Sequence, residues 1–209
     1  MKILENLEWR YATKRFDNRK KVSPDNLEKL KRSIQLAASS YGLQLYKVLI
    51  IEDDVLKKRL KPCSWNQSQI TDCSHLFVFC NYSDIKEQHI DEYIELKSQI
   101  EGKEATLAAD YGNFIKIKLS EKTSVEKTGW LKSQCYLALG NLLSACAELH
   151  IDACPMEGFD PEDYNKILQL NEKGLNACVI AAVGYRHIDD ETQFKSKIRK
   201  PIEKLFEKF

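Results

Sequence analysis

Two clusters of basic side chains are the residues of this sequence whose types and spacing could do chemistry. Arg10 and Lys14 are four positions apart and therefore share one face of a predicted helix. Lys197 and Arg199 are two positions apart and share one side of a predicted extended segment. Because guanidinium groups bind phosphate oxygens through paired hydrogen bonds, the two clusters together would suit a doubly charged phosphate. Solvated surface charge is the alternative that spacing alone leaves open.

The stretch DACPMEGFD, residues 152–160, places one glutamate, Glu157, between Met156 and Gly158. A short predicted strand precedes it. Glu157 could be an acid catalyst, or another part of this tight segment could be the functional part. Other candidates for chemistry are weaker. The four histidines have no metal-ligand spacing, and the chain has no dinucleotide-binding glycine motif, no nucleophile elbow and no Cys-His pair. We therefore expect no metal site.

The balance of charge excludes some classes of partner. Among 209 residues, 32 are Lys or Arg and 31 are Asp or Glu, so no field of the whole protein attracts nucleic acid or a membrane surface. No apolar run approaches the length of a membrane span, and the first residues lack the apolar core of a signal peptide. Seven cysteines without a C-x-x-C pair are typical of reduced thiols. We expect a cytoplasmic protein whose anion site is local.

The elements that must position these residues are helices around a small sheet. An opening helix is predicted to end near Phe16-Asp17, and Ser23 with Pro24 predicts the start of a second helix that ends around residues 39–42. Three continuous apolar runs predict buried strands, of which the first two are central in the sheet. They are residues 46–51, 76–80 and 177–183.

A long helix over residues 125–149 is apolar on almost every face and must therefore be covered on all sides. Gly140-Asn141 in its middle lowers helix propensity, which indicates a close backbone crossing. In a chain this short the covering surface would come from a second subunit, so we infer a homodimer. Residues 85–120 are charged and weakly periodic, and we expect helical excursions there. The predicted fold class is α+β, a single domain over residues 1–209 with helices around a mixed sheet.

Five segments resemble, in order, the nitroreductase family of FMN-dependent NAD(P)H oxidoreductases. They are RYATKRF, ASSYGLQLY, WNQSQITDCSH, CPMEGFD and KSKIRKP. The resemblance covers essentially the whole chain. It implies an α+β homodimer with one FMN at each end of the interface, built from both subunits. It also implies that the excursion at about residues 85–120 is a lid over the substrate.

The same resemblance implies roles for individual residues. Arg10, Lys197 and Arg199 match residues that hold the FMN phosphate. Lys14 matches a lysine beside the N1 and C2 carbonyl edge of the flavin, where a fixed ammonium stabilises the negative charge of the reduced form. Asn66 matches an amide that hydrogen-bonds the pyrimidine edge.

Further residues are implied around the flavin ring. Pro155 packs against its buried face, and the backbone N–H groups of Glu157 and Gly158 point at N5 and the C4 carbonyl, so no side chain is catalytic. Gly158 would allow the backbone to approach a planar ligand closely. Ser39 and Ser40 reach across the dimer to the other subunit's flavin. The flavin set also includes Thr13, Gln69 and Met156, and the substrate pocket comprises Tyr41, Trp65 and Phe114.

The sequence departs from the family pattern at Ala12, where many members have Ser, at Gly42, where Asn is frequent, and at Gln69, where Lys is common. These changes bear on flavin affinity and potential. The resemblance implies an oxidoreductase that takes hydride from NADH or NADPH and reduces nitroaromatics, quinones or similar electron-poor acceptors by ping-pong kinetics. The alternatives are a dihydropteridine reductase and a flavin-binding protein without turnover.

Overall fold

The computed structural model describes residues 2–102 and 109–209. The helices in these ranges are α1 (Lys2–Trp9), α2 (Pro24–Gln35), α3 (Asp54–Leu60), α4 (Gln69–Asp72), α5 (Glu87–Glu101), α6 (Ala109–Ser120), α7 (Ser124–Glu148) and α8 (Pro161–Ile167). The strands are β1 (Tyr46–Ile51), β2 (His75–Tyr82), β3 (Asp152–Met156) and β4 (Leu175–Gly184). The α+β class is confirmed.

The four strands form one sheet in the order β1-β2-β4-β3, and each neighbouring pair is antiparallel. The prediction of a mixed sheet is wrong for these strands, since neighbouring strands run in opposite directions in all three pairs. In the described ranges, parallel pairing occurs only at an isolated bridge between Ala12 and Ala153. β1 was expected to be central, but it lies at the edge beside β2, and most of its residues are half-buried.

β2 separates two layers of core because successive side chains of a strand point to opposite faces. Leu76, Val78 and Cys80 face a cluster that contains residues of α3, α4 and α8. Phe77 and Phe79 face a second cluster, formed with α2 and α7. All five side chains are fully buried, so helices cover both faces of the sheet as the continuous apolar run predicts.

α1 ends at Trp9, several residues before the predicted end near Phe16-Asp17. The chain leaves the helix because the next residues pair with distant strands: Ala12 bridges to Ala153, and Phe16 bridges to Arg186. Arg10 and the residues after it are therefore not helical, and the expectation that Arg10 and Lys14 share a helical face is wrong. α2 begins as predicted, with the Ser23 hydroxyl accepting the Asn26 N–H, but it ends earlier, at Gln35.

α7 has the predicted bounds within one residue and packs its buried face on the sheet and on α2. Its other face is open within the chain: Tyr136, Leu137 and Val125 are exposed. A Cβ placed on Gly140 would meet no heavy atom within 4 Å. The close backbone crossing expected at Gly140 is therefore not made within this chain.

α5 and α6 are the helical excursions expected over residues 85–120, and they pack on each other. Gly112 of α6 allows this contact, because a Cβ there would lie 3.0 Å from Cγ1 of Ile94 in α5. Residues 103–108, which belong to the predicted lid, lie outside the described residues. Within 2–102 and 109–209, the helices are too short or too polar to span a bilayer.

Candidate functional site

The two basic clusters meet at one cavity of about 620 Å³. Arg10, Lys197 and Arg199 line it together with Trp9, Tyr11 and Pro155. Burial, and next the charge of Arg199, hold the pKa of Arg10 below its ordinary value. Burial and the charges of Arg10 and Arg199 lower the pKa of Lys197 in the same way. Cations that depress one another's pKa are stabilised by a bound anion, so this cavity suits a phosphate.

Lys197 has a second task that the sequence did not reveal. Its ammonium donates hydrogen bonds to three carbonyl oxygens at the end of α1: those of Leu7 at 2.5 Å, Glu8 at 2.9 Å and Arg10 at 2.5 Å. A lysine has three N–H donors, so all of them are used in this arrangement. Lys197 therefore closes the C-terminal end of α1 and fixes the backbone of Arg10, and its charge contributes to the cavity at the same time.

Lys14 and Gln69, which were expected at one flavin edge, do meet, and they meet at Cys154. The Lys14 ammonium lies 3.9 Å from the Cys154 sulfur. The side chain of Gln69, which is buried, hydrogen-bonds the same thiol. Thr13 was placed in the same set, but its side chain is fully buried and its hydroxyl donates to Asp152 at 3.4 Å. The side chain of Thr13 therefore points into the protein rather than into the cavity.

Asp190 is a residue that the sequence analysis missed. Its side chain, in a residue 3% exposed, accepts hydrogen bonds from the Tyr11 hydroxyl and the Lys14 N–H, both at 2.9 Å. The N–H groups of Arg15 and Thr192 donate to it as well, at 3.2 and 3.1 Å. Burial alone would raise the pKa of this carboxyl, but the four donors outweigh burial and hold the pKa below its ordinary value. Asp190 thus ties the segment that carries Lys14 to the C-terminal segment.

Asp152 and Arg186 form a second unforeseen contact beneath the basic cavity. The Arg186 N–H and Nε donate to the two carboxylate oxygens of Asp152, each at 2.7 Å. Nη2 lies 2.7 Å from Oδ1 as an ion pair, without the alignment of a hydrogen bond. The guanidinium also lies 4.3 Å from the ring centroid of Trp9 and 4.6 Å from that of Tyr11. These contacts fix the two aromatic residues that border the cavity.

A second cavity, of about 510 Å³ and mostly apolar, adjoins the first. Pro155 and Leu143 line both cavities, so the two lie side by side, and we call them together the groove, with a basic end and an apolar end. Pro155, Met156 and Glu157, three residues expected around the flavin ring, line the apolar end. The other lining residues are Tyr136, Leu139, Gly140 and Val179.

The carboxylate of Glu157 is a hydrogen-bond acceptor in this groove. The Tyr136 hydroxyl donates to Oε1 at 2.5 Å. Burial, followed by this hydrogen bond and the charge of Glu157, raises the pKa of Tyr136. An acid catalyst needs a proton to give, whereas this carboxylate accepts a hydrogen bond from the tyrosine hydroxyl, so the geometry favours a positional role for its side chain.

Gly158 has a packing role that was not expected. A Cβ there would lie 2.8 Å from Cζ3 and 2.9 Å from Cε3 of Trp65, and 3.0 Å from Nε2 of Gln67. The position of that Cβ is therefore occupied by Trp65, a residue 76% exposed. Gln67 also donates to the Gly158 carbonyl at 2.9 Å. Trp65 and Asn66 have φ values of 53° and 56°, a strained left-handed pair of the kind found at ligand sites.

Ser39, Ser40, Tyr41 and Phe114 lie away from the groove. The Ser40 N–H donates to Oε1 of Gln134 in α7 at 2.8 Å. Tyr41 packs edge-on against Phe114 of α6, with ring centroids 6.5 Å apart. Neither cavity is lined by any of these residues. Within one chain the two cavities therefore bring together the phosphate residues with Pro155, Met156 and Glu157. They are lined neither by this group nor by the other predicted flavin residues Lys14, Asn66, Gln69 and Gly158.

Comparisons with known proteins agree with this geometry. Residues 7–185 match the sequence profile of the Nitroreductase family. The chain is 35% identical over 210 residues to the major NAD(P)H-flavin oxidoreductase of Aliivibrio fischeri, with 96% of this chain and 95% of that protein covered. It is 28% identical over 203 residues to the oxygen-insensitive NAD(P)H nitroreductase of Salmonella typhimurium, with 93% of each covered. The fold resembles that of an Exiguobacterium sibiricum protein solved in complex with FMN, at a TM-score of 0.84 and 16% identity, with 99% of this chain and 97% of that chain covered.

Proposed function

The chain belongs to the nitroreductase family of flavin-dependent NAD(P)H oxidoreductases, and from that premise we propose that it reduces nitroaromatics, quinones or similar electron-poor acceptors by ping-pong hydride transfer. One observation carries the proposal: the basic cavity and the apolar cavity of the groove share Pro155 and Leu143. A ligand that fills it must have an anionic end and a flat apolar end.

FMN, the cofactor of the family, has this character, and the residues present fit it. Arg10 and Arg199 would hold the phosphate, with the charge of Lys197 behind them. Pro155 would pack against the ring, and the ammonium of Lys14 would lie toward the pyrimidine edge. The cavity volumes support this orientation, and so do the lowered pKa values of Arg10 and Lys197, which burial and then the neighbouring cations cause.

When bound, FMN accepts hydride from the nicotinamide and gives reducing equivalents to the acceptor. The chain itself binds, orients and stabilises. Lys14 supplies a fixed positive charge next to Cys154. This charge would stabilise the negative charge that the flavin ring gains on reduction. The backbone at Glu157 and Gly158 orients the ring, and Gln67 holds that backbone through the Gly158 carbonyl. No side chain needs to act as nucleophile or acid.

We propose a homodimer for the complete site. The open face of α7, including exposed Leu137 and uncovered Gly140, supports this arrangement. Ser39 and Ser40, which do not line the groove of their own chain, would contribute to the partner's site. The same holds for Tyr41 and Phe114 as parts of the substrate pocket, with α5 and α6 as the lid.

The three departures from the family pattern do not obstruct the groove. Gly42 has a φ of 78°, a left-handed conformation that both Gly and Asn adopt readily. Ala12 forms the bridge to Ala153. Gln69 is buried against the Cys154 thiol. These observations fit flavin binding, and the NAD(P)H oxidoreductases that the chain resembles favour an enzyme over a flavin-binding protein without turnover.

Steady-state kinetics test the proposed mechanism. Initial rates are measured with NADPH or NADH varied against menadione, nitrofurazone or a quinonoid dihydropteridine. Because both substrates would use one pocket in turn, parallel lines in double-reciprocal plots are expected with the quinone and the nitroaromatic. Intersecting lines would contradict the shared pocket. Turnover with the dihydropteridine alone would favour the dihydropteridine reductase alternative.

A further inference from the structure

A β-bulge in the sheet places one cysteine in an unusual position. The pairing of β2 with β4 passes from Phe79 opposite Val179 to Cys80 opposite Ala177, which leaves Cys178 as the extra residue. A bulge redirects side chains locally and is common beside active sites. Here Cys178 packs against the same core cluster as its neighbour Val179, on the α7 side of the sheet, although successive strand residues ordinarily alternate.

Cys178 lies against the turn of α7 that contains Cys135. Its sulfur is 3.8 Å from the carbonyl oxygen of Lys132, one helical turn before Cys135. The two thiols are close enough for each to shift the pKa of the other. Cys135 is fully buried, whereas Cys178 is half-buried. One sulfur of the pair can therefore be reached from solvent and the other cannot.

The pair is electrostatically asymmetric. The hydrogen bond from Cys135 and the charge of Lys132 hold the pKa of Cys178 below its ordinary value, against burial and the charge of Glu157. The hydrogen bond with Cys178 and then burial raise the pKa of Cys135. Because the thiolate is the reactive form, Cys178 is the nucleophile and Cys135 the resolving thiol.

The other cysteines lack this combination. Cys80 is fully buried and faces the opposite core cluster, and burial raises its pKa. Cys63 is the remaining half-buried cysteine of the seven, but burial and the charges of Asp163 and Asp160 raise its pKa. Cys63 therefore has comparable exposure without activation, which makes it a matched control.

We propose that Cys178 and Cys135 form a peroxide-sensitive dithiol that closes reversibly to an intramolecular disulfide. The Cys178 thiolate attacks a hydroperoxide, so that an S–O bond forms, the O–O bond breaks, and hydroxide leaves and takes a proton. The Cys135 sulfur then attacks the Cys178 sulfur, the S–S bond forms, and the oxygen leaves as water with the Cys135 proton. Two thiols are oxidised and one peroxide is reduced.

The disulfide would join α7 to the bulge of β4 beside the apolar end of the groove. Tyr136 follows Cys135, and Val179 follows Cys178, and both of these neighbours line that cavity. The thiol chemistry needs no flavin, so it is independent of the proposed function and can be measured without an activity assay.

The test uses the reduced, FMN-loaded protein after removal of reductant, treated anaerobically with equimolar hydrogen peroxide. Combined trypsin and chymotrypsin cleavage after Lys132 and Tyr136 isolates Cys135 in residues 133–136, and Cys178 falls in residues 176–185. The expected result is a loss of two thiols per chain, with these two peptides linked before Cys63 changes, and recovery with dithiothreitol. Oxidation of Cys63 first, a link from Cys178 to another cysteine, or no loss of thiols would overturn the proposal.

Two variants sharpen the test. Cys135→Ser should stop Cys178 at the sulfenic acid, which dimedone captures as a mass adduct, whereas Cys63→Ser should still form the disulfide. Dimedone labelling of Cys63 instead of Cys178 in Cys135→Ser would contradict the assigned order of attack. If Cys135→Ser does not fold, the peptide map of the unsubstituted protein decides alone.

Discussion

Replacing Asp190 with Ala should destabilise the protein and weaken flavin binding together. The side chain accepts hydrogen bonds from Tyr11, Lys14, Arg15 and Thr192, and the residue is almost fully buried. A hydrogen bond to a charged group contributes about 1.5–3 kcal/mol, but water would enter the vacated space and replace part of the four. We therefore expect a loss of about 3–5 kcal/mol in the free energy of unfolding, a large effect for one side chain.

Urea unfolding of the apoprotein measures the stability change, and fluorescence titration with FMN measures the change in affinity. Asp189→Ala is the matched control, because the neighbouring carboxylate is exposed and its contact with Arg15, at 3.5 Å, is a surface ion pair. Such pairs contribute about 0–1 kcal/mol. If Asp190→Ala were no less stable than Asp189→Ala, the role of Asp190 in holding the Lys14 segment would be refuted.

The effect of Asp190 should also depend on pH in a defined direction. Its pKa is lowered in the folded protein from an ordinary value of 3.8. Its contribution to stability is therefore present above the unfolded pKa and is lost as the pH falls through the folded pKa. The stability difference between the unsubstituted protein and Asp190→Ala should be constant between about pH 5 and 8 and should shrink below about pH 4.

Four further substitutions test the site. Arg199→Ala should weaken FMN binding by more than about tenfold, and unchanged FMN affinity would contradict the phosphate assignment. Lys197→Ala should weaken FMN binding to the same extent. It should also lower the melting temperature, because three carbonyl oxygens at the end of α1 lose their hydrogen-bond donor. Glu157→Gln should keep hydride transfer within about twofold, because an amide oxygen still accepts a hydrogen bond; a dead variant with FMN bound would restore the acid-catalyst hypothesis. Gly158→Ala should displace Trp65, visible as a shift in tryptophan fluorescence, because the new Cβ would lie 2.8 Å from the ring; an unshifted spectrum would argue against that contact.

Local patterns predicted the elements whose causes are local. The apolar runs at 46–51, 76–80 and 177–183 are strands, and the Ser23-Pro24 start and the α7 bounds are confirmed. The sequence failed where partners are distant. α1 ends at Trp9 because the following residues bridge to residues about 140 to 170 positions away, and periodicity within α1 carries no trace of that pairing.

The site shows the same division. The resemblance brought Arg10, Lys197 and Arg199 to one place, and the structure puts them around one cavity. It did not reveal Asp190, whose bond to the Lys14 N–H spans 176 positions, because nothing in the type or spacing of Asp189-Asp190 distinguishes this pair from surface charge. The packing role of Gly158 was missed for a similar cause.

Trp65 is the distant contact that explains Gly158. Glycine was expected to leave room for a ligand, but its open side faces a tryptophan ring from a segment more than ninety positions earlier. The absence of a Cβ at Gly158 therefore allows packing within the chain. Only the left-handed pair at Trp65 and Asn66 marks this contact as unusual, and dihedral angles of this kind are not visible in a sequence.

Anaerobic mixing of the FMN-loaded protein with NADPH, and separately with NADH, tests the central claim most directly. The visible absorbance of the bound flavin should disappear with at least one of the two nucleotides and return when menadione is added. Flavin that stays bound and oxidised with both nucleotides would contradict the assignment of this chain as an NAD(P)H oxidoreductase.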